Sequence, residues 1–126
     1  MEFTLKEEII DKLNQILESI DIIQERCKEY HSVDDFLQTP WGMTVFDACI
    51  MRIQVIGKTI KAVDDKTKQS LLSRYPQIPW KKVIGLRNII SHEYANIDYD
   101  IIWTVIVKYL PSLTIAVRLV KQELSS

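Results

Sequence analysis

Two long stretches of the chain repeat apolar residues at the spacing of a helix. In the first stretch the steps are 4-3-4-3-4, through Ile9, Leu13, Ile16, Ile20, Ile23 and Cys27. In the second they are 3-4-3-4-3, through Phe46, Cys49, Ile53, Ile56, Ile60 and Val63. Steps of three and four place such residues on one face of a helix, where they can pack against a neighbour. The pattern therefore predicts two long helices, one beginning near Thr4 and one spanning about 42–63.

The second of these helices is apolar on its other sides as well. The additional apolar residues are Met43, Val45, Ile50, Met51 and Val55. A helix that is apolar on several sides is either central in the bundle or shared with a second subunit. The residues alone leave both possibilities open.

Polar residues at the helix ends predict where the helices begin. Thr4 and Glu7 have the spacing of a capping box, in which a hydroxyl and a carboxylate each accept a hydrogen bond from a backbone amide. Ser32 and Asp35 have the same spacing and predict a short helical turn that Pro40 ends.

The second half of the chain alternates between polar breaks and helical patterns. Residues 64–75 are polar and predict one short helix at about 66–74. Pro79 suits the first turn of a following helix over about 80–91, because a proline lacks the amide hydrogen that such a position leaves unpaired. Asp98 is then placed to cap the last helix.

The last helix completes an all-α chain, since no segment alternates as a surface strand would. Its predicted buried side is Ile101, Ile102, Val105, Ile106, Leu110, Leu113, Val117 and Val120. Pro111 lies within it and should kink it, because the ring removes one hydrogen bond and crowds the preceding turn. We predict an antiparallel bundle of four to five helices.

Composition is that of an ordinary globular protein. The 126 residues, 47% hydrophobic and 26% charged, fit a single domain covering residues 1–126. No basic segment precedes an apolar run, and no uncharged apolar stretch approaches membrane-spanning length, so we expect a cytoplasmic protein without a membrane segment. Cys27 and Cys49 lie on apolar stripes, which favours buried reduced thiols. With a net charge of -1, any contact with RNA would need a local basic patch or a partner.

Most signatures of catalysis are absent from the chain. It has no glycine-rich phosphate loop, no paired zinc-ligand spacing and no nucleophilic serine elbow, so we expect neither a metal nor a cofactor. The remaining chemistry lies in one short segment, which contains Arg87, Asn88, Ser91, His92 and Tyr94.

Helical spacing relates these residues to each other. Asn88 and His92 share one face and Arg87 and Ser91 an adjacent one, so Arg87 and His92 point into the same half of space rather than along one line. His92 is predicted near the helix C-terminus, where the dipole favours a protonated imidazole. A guanidinium, an imidazole and a phenol so close together could bind and cleave a phosphodiester. A lone arginine and histidine at a helix end are, however, more often a capping pair or a solvated face.

The segment Arg87-Asn88-Ile89-Ile90-Ser91-His92-Glu93-Tyr94 resembles the R-x4-H-x-Y signature of HepT-like proteins in the HEPN superfamily. The flanking residues agree with that pattern, and the likeness extends over about residues 4–122. The matching segments are Ile78-Pro79-Trp80, Gly85-Leu86, Ile97-Asp98, Ile101-Ile102-Trp103, Leu110-Pro111-Ser112-Leu113 and the more distant Val55-Ile56-Gly57.

The resemblance implies a HEPN-like bundle and a function. Members of the family are typically homodimers whose two motifs meet in a cleft, and many are endoribonuclease toxins that need no metal. It implies that Arg87 holds the phosphate and His92 acts as general base or acid, with Asn88 and Ser91 in support. Their usual partner is an MNT-type nucleotidyltransferase antitoxin, which in some pairs adds AMP to the motif tyrosine, here Tyr94.

Two other interpretations are compatible with the same residues. The chain could be a non-catalytic subunit that docks a nucleotidyltransferase and presents Tyr94 or a nucleotide pocket. Alternatively, the motif could be a dimer-contact element in which His92 affects assembly alone.

Overall fold

Helices follow one another along the whole of the described chain. The computed structural model describes residues 2–92 and 97–126, with side chains described up to residue 86 and again from residue 97. The helices are α1 (Phe3–Cys27), α2 (Val33–Leu37), α3 (Pro40–Lys66), α4 (Trp80–His92), α5 (Tyr99–Thr104) and α6 (Leu110–Ser125). A 3-10 turn lies at Leu72–Arg74, and a π-helical turn at Val105–Tyr109 joins α5 to α6. The predicted all-α bundle is confirmed, and the described residues contain no strand.

The two predicted apolar stripes form the centre of the core. All twelve stripe residues of α1 and α3 are buried. Helix α3 packs against α1, α2 and α4, so it is central in the bundle, and α6 packs against α1. The central position explains why Val45 and Ile50 are also buried, whereas Met51 remains 62% exposed.

The first predicted cap is wrong. Helix α1 begins at Phe3, after Glu2, and its N-terminus has no side-chain cap. Thr4 therefore lies inside the first turn, where its backbone is already helical and its hydroxyl is not at the capping position.

The second predicted cap is confirmed, but the role of the following proline is different. The Ser32 Oγ accepts a hydrogen bond from the Asp35 amide at 3.2 Å, and an Asp35 carboxylate oxygen accepts one from the His31 amide at 2.8 Å. Pro40 does not simply end α2, because it is the first residue of α3. Thr39 caps that helix by accepting from the Gly42 amide at 2.9 Å.

The predicted short helix over 66–74 is also wrong. Helix α3 continues to Lys66, and only Leu72–Arg74 forms a 3-10 turn. Lys68 and Gln69 break the helix, with φ angles of 53° and 61° in the left-handed region. The turn is held to the bundle by Leu71 and Leu72, which are buried.

The last helix begins at its predicted cap, and a π-helical turn lies directly before Pro111, where a kink was predicted. A carboxylate oxygen of Asp98 accepts from the amides of Asp100 at 2.9 Å and Ile101 at 3.4 Å. Pro111 lies in the first turn of α6, and the π-helical turn directly before it accommodates the missing amide hydrogen. Seven of the eight residues predicted to be buried are buried, but Ile101 is 51% exposed.

One described helix, Tyr99–Ser125, is long and apolar enough to cross a membrane if only length and composition are considered. Core helices of soluble proteins meet the same criteria, and 39% of its most apolar stretch is buried inside this bundle.

Candidate active site

The start of α4 is fixed by Tyr75. The backbone carbonyl of Tyr75 accepts hydrogen bonds from the indole nitrogen of Trp80 at 2.9 Å and from the Ile78 amide at 3.3 Å. The Tyr75 hydroxyl donates to the carboxylate of Glu123 on α6. Burial, and then the hydrogen bond to Glu123, raise the pKa of the Tyr75 phenol. The position at which α4 leaves the turn is therefore tied to the end of α6.

The first two turns of α4 separate an apolar side from a basic one. Val83, Ile84 and Leu86 are partly buried and pack against the core, where α4 lies on α3. Lys81 and Lys82 are exposed, and no acidic residue occurs between Pro79 and His92. This part of α4 therefore presents positive charge to solvent.

An aromatic cluster fixes the point at which the chain re-enters the bundle after the motif. The ring of Tyr99, the first residue of α5, meets the Phe46 ring edge-on at 5.3 Å. Phe36 lies between the rings of Tyr30 at 4.1 Å, Phe46 at 4.5 Å and Trp103 at 5.6 Å. The segment that carries the motif is thus anchored upstream by Tyr75 and downstream by these rings.

Four of the predicted site residues occur within α4. Arg87, Asn88, Ser91 and His92 occupy its last two turns, and the helix is continuous to His92. Their side chains lie outside the described residues, and Tyr94 does so entirely. Positions five apart on a helix differ by about 7.5 Å along the axis and about 140° around it. The backbone therefore places the Arg87 and His92 positions on well-separated faces of one helix, about 140° apart around its axis, rather than in a single row.

An open apolar groove, which the sequence did not predict, runs between α4 and the last helix. Two adjoining cavities of about 170 and 380 Å³ share part of their walls, with Val83 and Leu86 from α4 and Val105 and Tyr109 from the π-helical turn. The wall of the larger cavity also includes Ile101. We call this the α4 groove. Its only signal in the sequence was the excess of apolar residues in α4 and the last helix.

Comparison with known proteins gives one family and several relatives. The model of the family described as "Ribonuclease HepT-like" matches residues 16–120. The chain is 34% identical over 112 residues to a Methanocaldococcus jannaschii protein named "Gamma-glutamylcyclotransferase and putative RNase". It is 29% identical over 111 residues to a "Putative RNase" of Caldanaerobacter subterraneus, and 30% identical over 103 residues to a "Probable ribonuclease HepT" of Thermococcus cleftensis.

The matches cover most of this chain but different shares of the relatives. The match with the Methanocaldococcus jannaschii protein covers 89% of this chain and 47% of that relative. For the Caldanaerobacter subterraneus protein the shares are 88% and 92%, and for the Thermococcus cleftensis protein they are 82% and 86%. The chain therefore spans about half of the first relative and nearly all of the other two. No solved structure matches the chain significantly. Because the family model matches more than four-fifths of the residues and agrees with the R-x4-H-x-Y resemblance, the chain belongs to the ribonuclease HepT-like family of the HEPN superfamily.

Proposed function

We propose that this protein is a metal-independent endoribonuclease toxin of a toxin–antitoxin pair, in which Arg87 and His92 cleave RNA in a cleft between two copies of the chain. The observation that carries the proposal is that the whole R-x4-H stretch belongs to one unbroken helix, α4, in a chain of the ribonuclease HepT-like family.

The residue types suit a reaction in which the 2′-hydroxyl of the RNA attacks its own adjacent phosphate. The imidazole of His92 takes the proton of the 2′-hydroxyl, and the 2′-oxygen attacks the adjacent phosphorus. The bond from phosphorus to the 5′-oxygen breaks, and a second imidazole returns a proton to that oxygen. The products are a 2′,3′-cyclic phosphate and a 5′-hydroxyl. Imidazole suits both roles because it ordinarily titrates near pH 6.5.

Arg87 supplies the charge that this reaction requires. A guanidinium binds two phosphate oxygens in parallel and stabilises the negative charge that develops on them. Lys81 and Lys82 add positive charge on the exposed side of the same helix. In a chain with a net charge of -1, such a local patch is what can attract RNA.

The second imidazole would come from a second copy, since His31 lies at the start of α2 and the described α4 carries no further histidine. The α4 groove supports a dimer that includes α4. Its walls are apolar, and at its rim Ile101 and Tyr109 are 51% and 45% exposed. Apolar surface of this kind, next to the helix that carries the motif, fits the surface of a second chain.

Control of the activity would act on Tyr94. A nucleotidyltransferase antitoxin would join the Tyr94 oxygen to the α-phosphorus of ATP and release pyrophosphate. The added AMP places a bulky anion a few residues from Arg87, where it blocks the substrate and cancels positive charge.

The test is cleavage of a single-stranded RNA by purified protein with EDTA present. We expect wild-type protein to leave 2′,3′-cyclic phosphate ends, and Arg87→Ala and His92→Ala each to lower kcat/KM by at least about 100-fold. Incubation with ATP and the nucleotidyltransferase should add one AMP to wild type, abolish cleavage, and add none to Tyr94→Phe.

The matched control is His31→Ala, because His31 is the other histidine of the chain and lies in an exposed loop. It should cleave RNA as wild type does, and circular dichroism should show the same helix content in every variant. Wild-type protein that cleaves nothing at micromolar concentration would refute the nuclease. Modification of Tyr94 without any such activity would instead indicate a non-catalytic subunit of a nucleotidyltransferase complex.

A further inference from the structure

The two cysteines of the chain meet in the core, far apart in sequence but close in space. Cys27 is the last residue of α1, and Cys49 lies within α3. Their sulfur atoms are 3.3 Å apart, and both side chains are buried as free thiols. A second thiol within reach allows the chemistry of a dithiol, which an isolated cysteine lacks.

The surroundings of the two thiols are unequal. A cavity of about 20 Å³ opens beside Cys49, and its lining includes Arg26 and Arg52. The hydrogen bond with Cys27, and then the charge of Arg26, lower the pKa of Cys49 against the opposing effect of burial. The hydrogen bond with Cys49, and then burial, raise the pKa of Cys27. Cys49 shares the cavity lining with two arginines, whose positive charge favours its thiolate, and the thiolate rather than the thiol is the form that reacts.

The cavity selects reagents by size. A cavity needs about 10–15 Å³ to admit one water molecule, so 20 Å³ accommodates a water-sized molecule and excludes a tripeptide disulfide. Hydrogen peroxide is an oxidant small enough to reach Cys49 by this route.

We propose that Cys27 and Cys49 form a peroxide-responsive dithiol, in which Cys49 is oxidised first and Cys27 then closes a disulfide between α1 and α3. The proposal does not depend on the nuclease function, since it rests on the contact between the two helices alone.

Each step balances. The Cys49 thiolate attacks one oxygen of hydrogen peroxide, the O–O bond breaks, and with one proton the products are a sulfenic acid and water. The sulfur of Cys27 then attacks the Cys49 sulfur, the S–O bond breaks, and the thiol proton leaves with the hydroxyl group as a second water. Peroxide is reduced by two electrons, and the two thiols are oxidised by two.

The backbone allows the sulfurs to close the remaining distance. A disulfide bond is about 2.0 Å long, so the sulfurs must approach by a little more than 1 Å. Cys27 ends α1 and is followed by an exposed turn at Lys28 and Glu29, whereas Cys49 is held inside α3. The end of α1 can therefore shift without disturbing a helix interior.

The experiment treats the reduced full-length chain with hydrogen peroxide and maps it with trypsin without reductant. Cleavage after Arg26, Lys28 and Arg52 leaves the dipeptide Cys27-Lys28, and we expect it joined to the peptide of residues 29–52. Dithiothreitol should separate the two. The cross-linked chain should melt roughly 10 °C higher than the reduced chain, because the bond restricts the unfolded state.

Two variants test the order of the steps. Cys27→Ser lacks the second thiol, so it should accumulate a sulfenic acid on Cys49 that dimedone traps. Cys49→Ser should show no dimedone adduct at the same peroxide concentration, and neither variant should form the cross-linked peptide.

Three outcomes would overturn the proposal. They are two freely alkylated cysteines in treated wild-type protein, a sulfonic acid on Cys49 beside an unmodified Cys27, and a disulfide that joins two chains. The peptide map of the wild-type chain decides among them even if one variant fails to fold.

Discussion

Gly42 lies in the first turn of α3, directly against the backbone of α2. A Cβ atom added there would overlap the carbonyl oxygen of Phe36. Phe36 is itself fully buried at the centre of the aromatic cluster, so its backbone has little freedom to move away. The absence of a side chain at Gly42 is therefore what allows α2 and α3 to approach each other.

We predict that Gly42→Ala lowers the free energy of unfolding by about 1–3 kcal/mol, because the methyl group forces the two backbones apart. Urea denaturation followed by circular dichroism measures the change.

Gly85 provides the matched control for this substitution. It is also a helical glycine, but an added Cβ would meet nothing within 4 Å. Gly85→Ala should therefore stabilise α4 by up to about 1 kcal/mol through helix propensity. Equal effects of the two substitutions would contradict the close approach at Gly42.

At the scale of the elements, the side chain of Tyr75 joins the turn before α4 to the end of α6. The Tyr75 hydroxyl donates to the Glu123 carboxylate and can do so only while it is protonated. Because the pKa of Tyr75 is raised in the folded chain, its contribution to stability is complete below the ordinary tyrosine value of about 10. It is lost as the pH rises through the higher folded pKa.

We predict that Tyr75→Phe lowers the stability of the protein by about 1 kcal/mol at neutral pH, through loss of the hydrogen bond. Above about pH 10 the difference in stability between the two chains should narrow as the pH rises through the folded pKa of Tyr75, because only the wild-type chain loses this contribution. Thermal melts across that range measure it. Tyr109→Phe, which removes an exposed phenol from the π-helical turn, should keep the wild-type profile.

The elements also show what could be predicted from the sequence. The stripes through Ile16 and Ile53 were reliable because a buried face requires a strict helical period. The predicted cap at Thr4 was wrong because the spacing of Thr4 and Glu7 does not show at which residue the helix begins. The predicted helix over 66–74 failed because the left-handed conformation of Lys68 and Gln69 has no signature in those residue types.

The part of the candidate site that lies within one helix could be predicted from the sequence, whereas the part formed between two helices could not. The spacing from Arg87 to His92 is a property of one helix, and α4 does extend over both positions. The α4 groove combines Leu86 with Ile101 and Tyr109, and the two walls belong to helices that only the tertiary fold brings together. Ile101 was therefore assigned to the core, although it lies at the rim of the groove.

At the scale of the whole molecule, the proposed dimer can be tested at the rim of the α4 groove, where Ile101 lies. We predict that Ile101→Glu dissociates the proposed dimer and removes nuclease activity, because it places a carboxylate in an apolar contact. Analytical ultracentrifugation and the RNA cleavage assay measure the two effects.

Ile115→Glu is the control for this prediction, since Ile115 is 71% exposed on α6 and does not line the α4 groove. It should leave both the mass and the activity unchanged. A wild-type chain that sediments as a monomer while cleaving RNA would contradict the dimer.

The π-helical turn at Val105–Tyr109 limits how the length of this chain can change. One residue more or fewer in a helix rotates everything beyond it by about 100°. A deletion that restored a regular helix there would turn Leu113 and Val117 out of the interior while Ile102 stayed in place. Insertions and deletions are better accommodated between Thr67 and Ser70, outside any helix, than between Ile102 and Val117, where buried residues on both sides of the π-helical turn must keep their relative rotation.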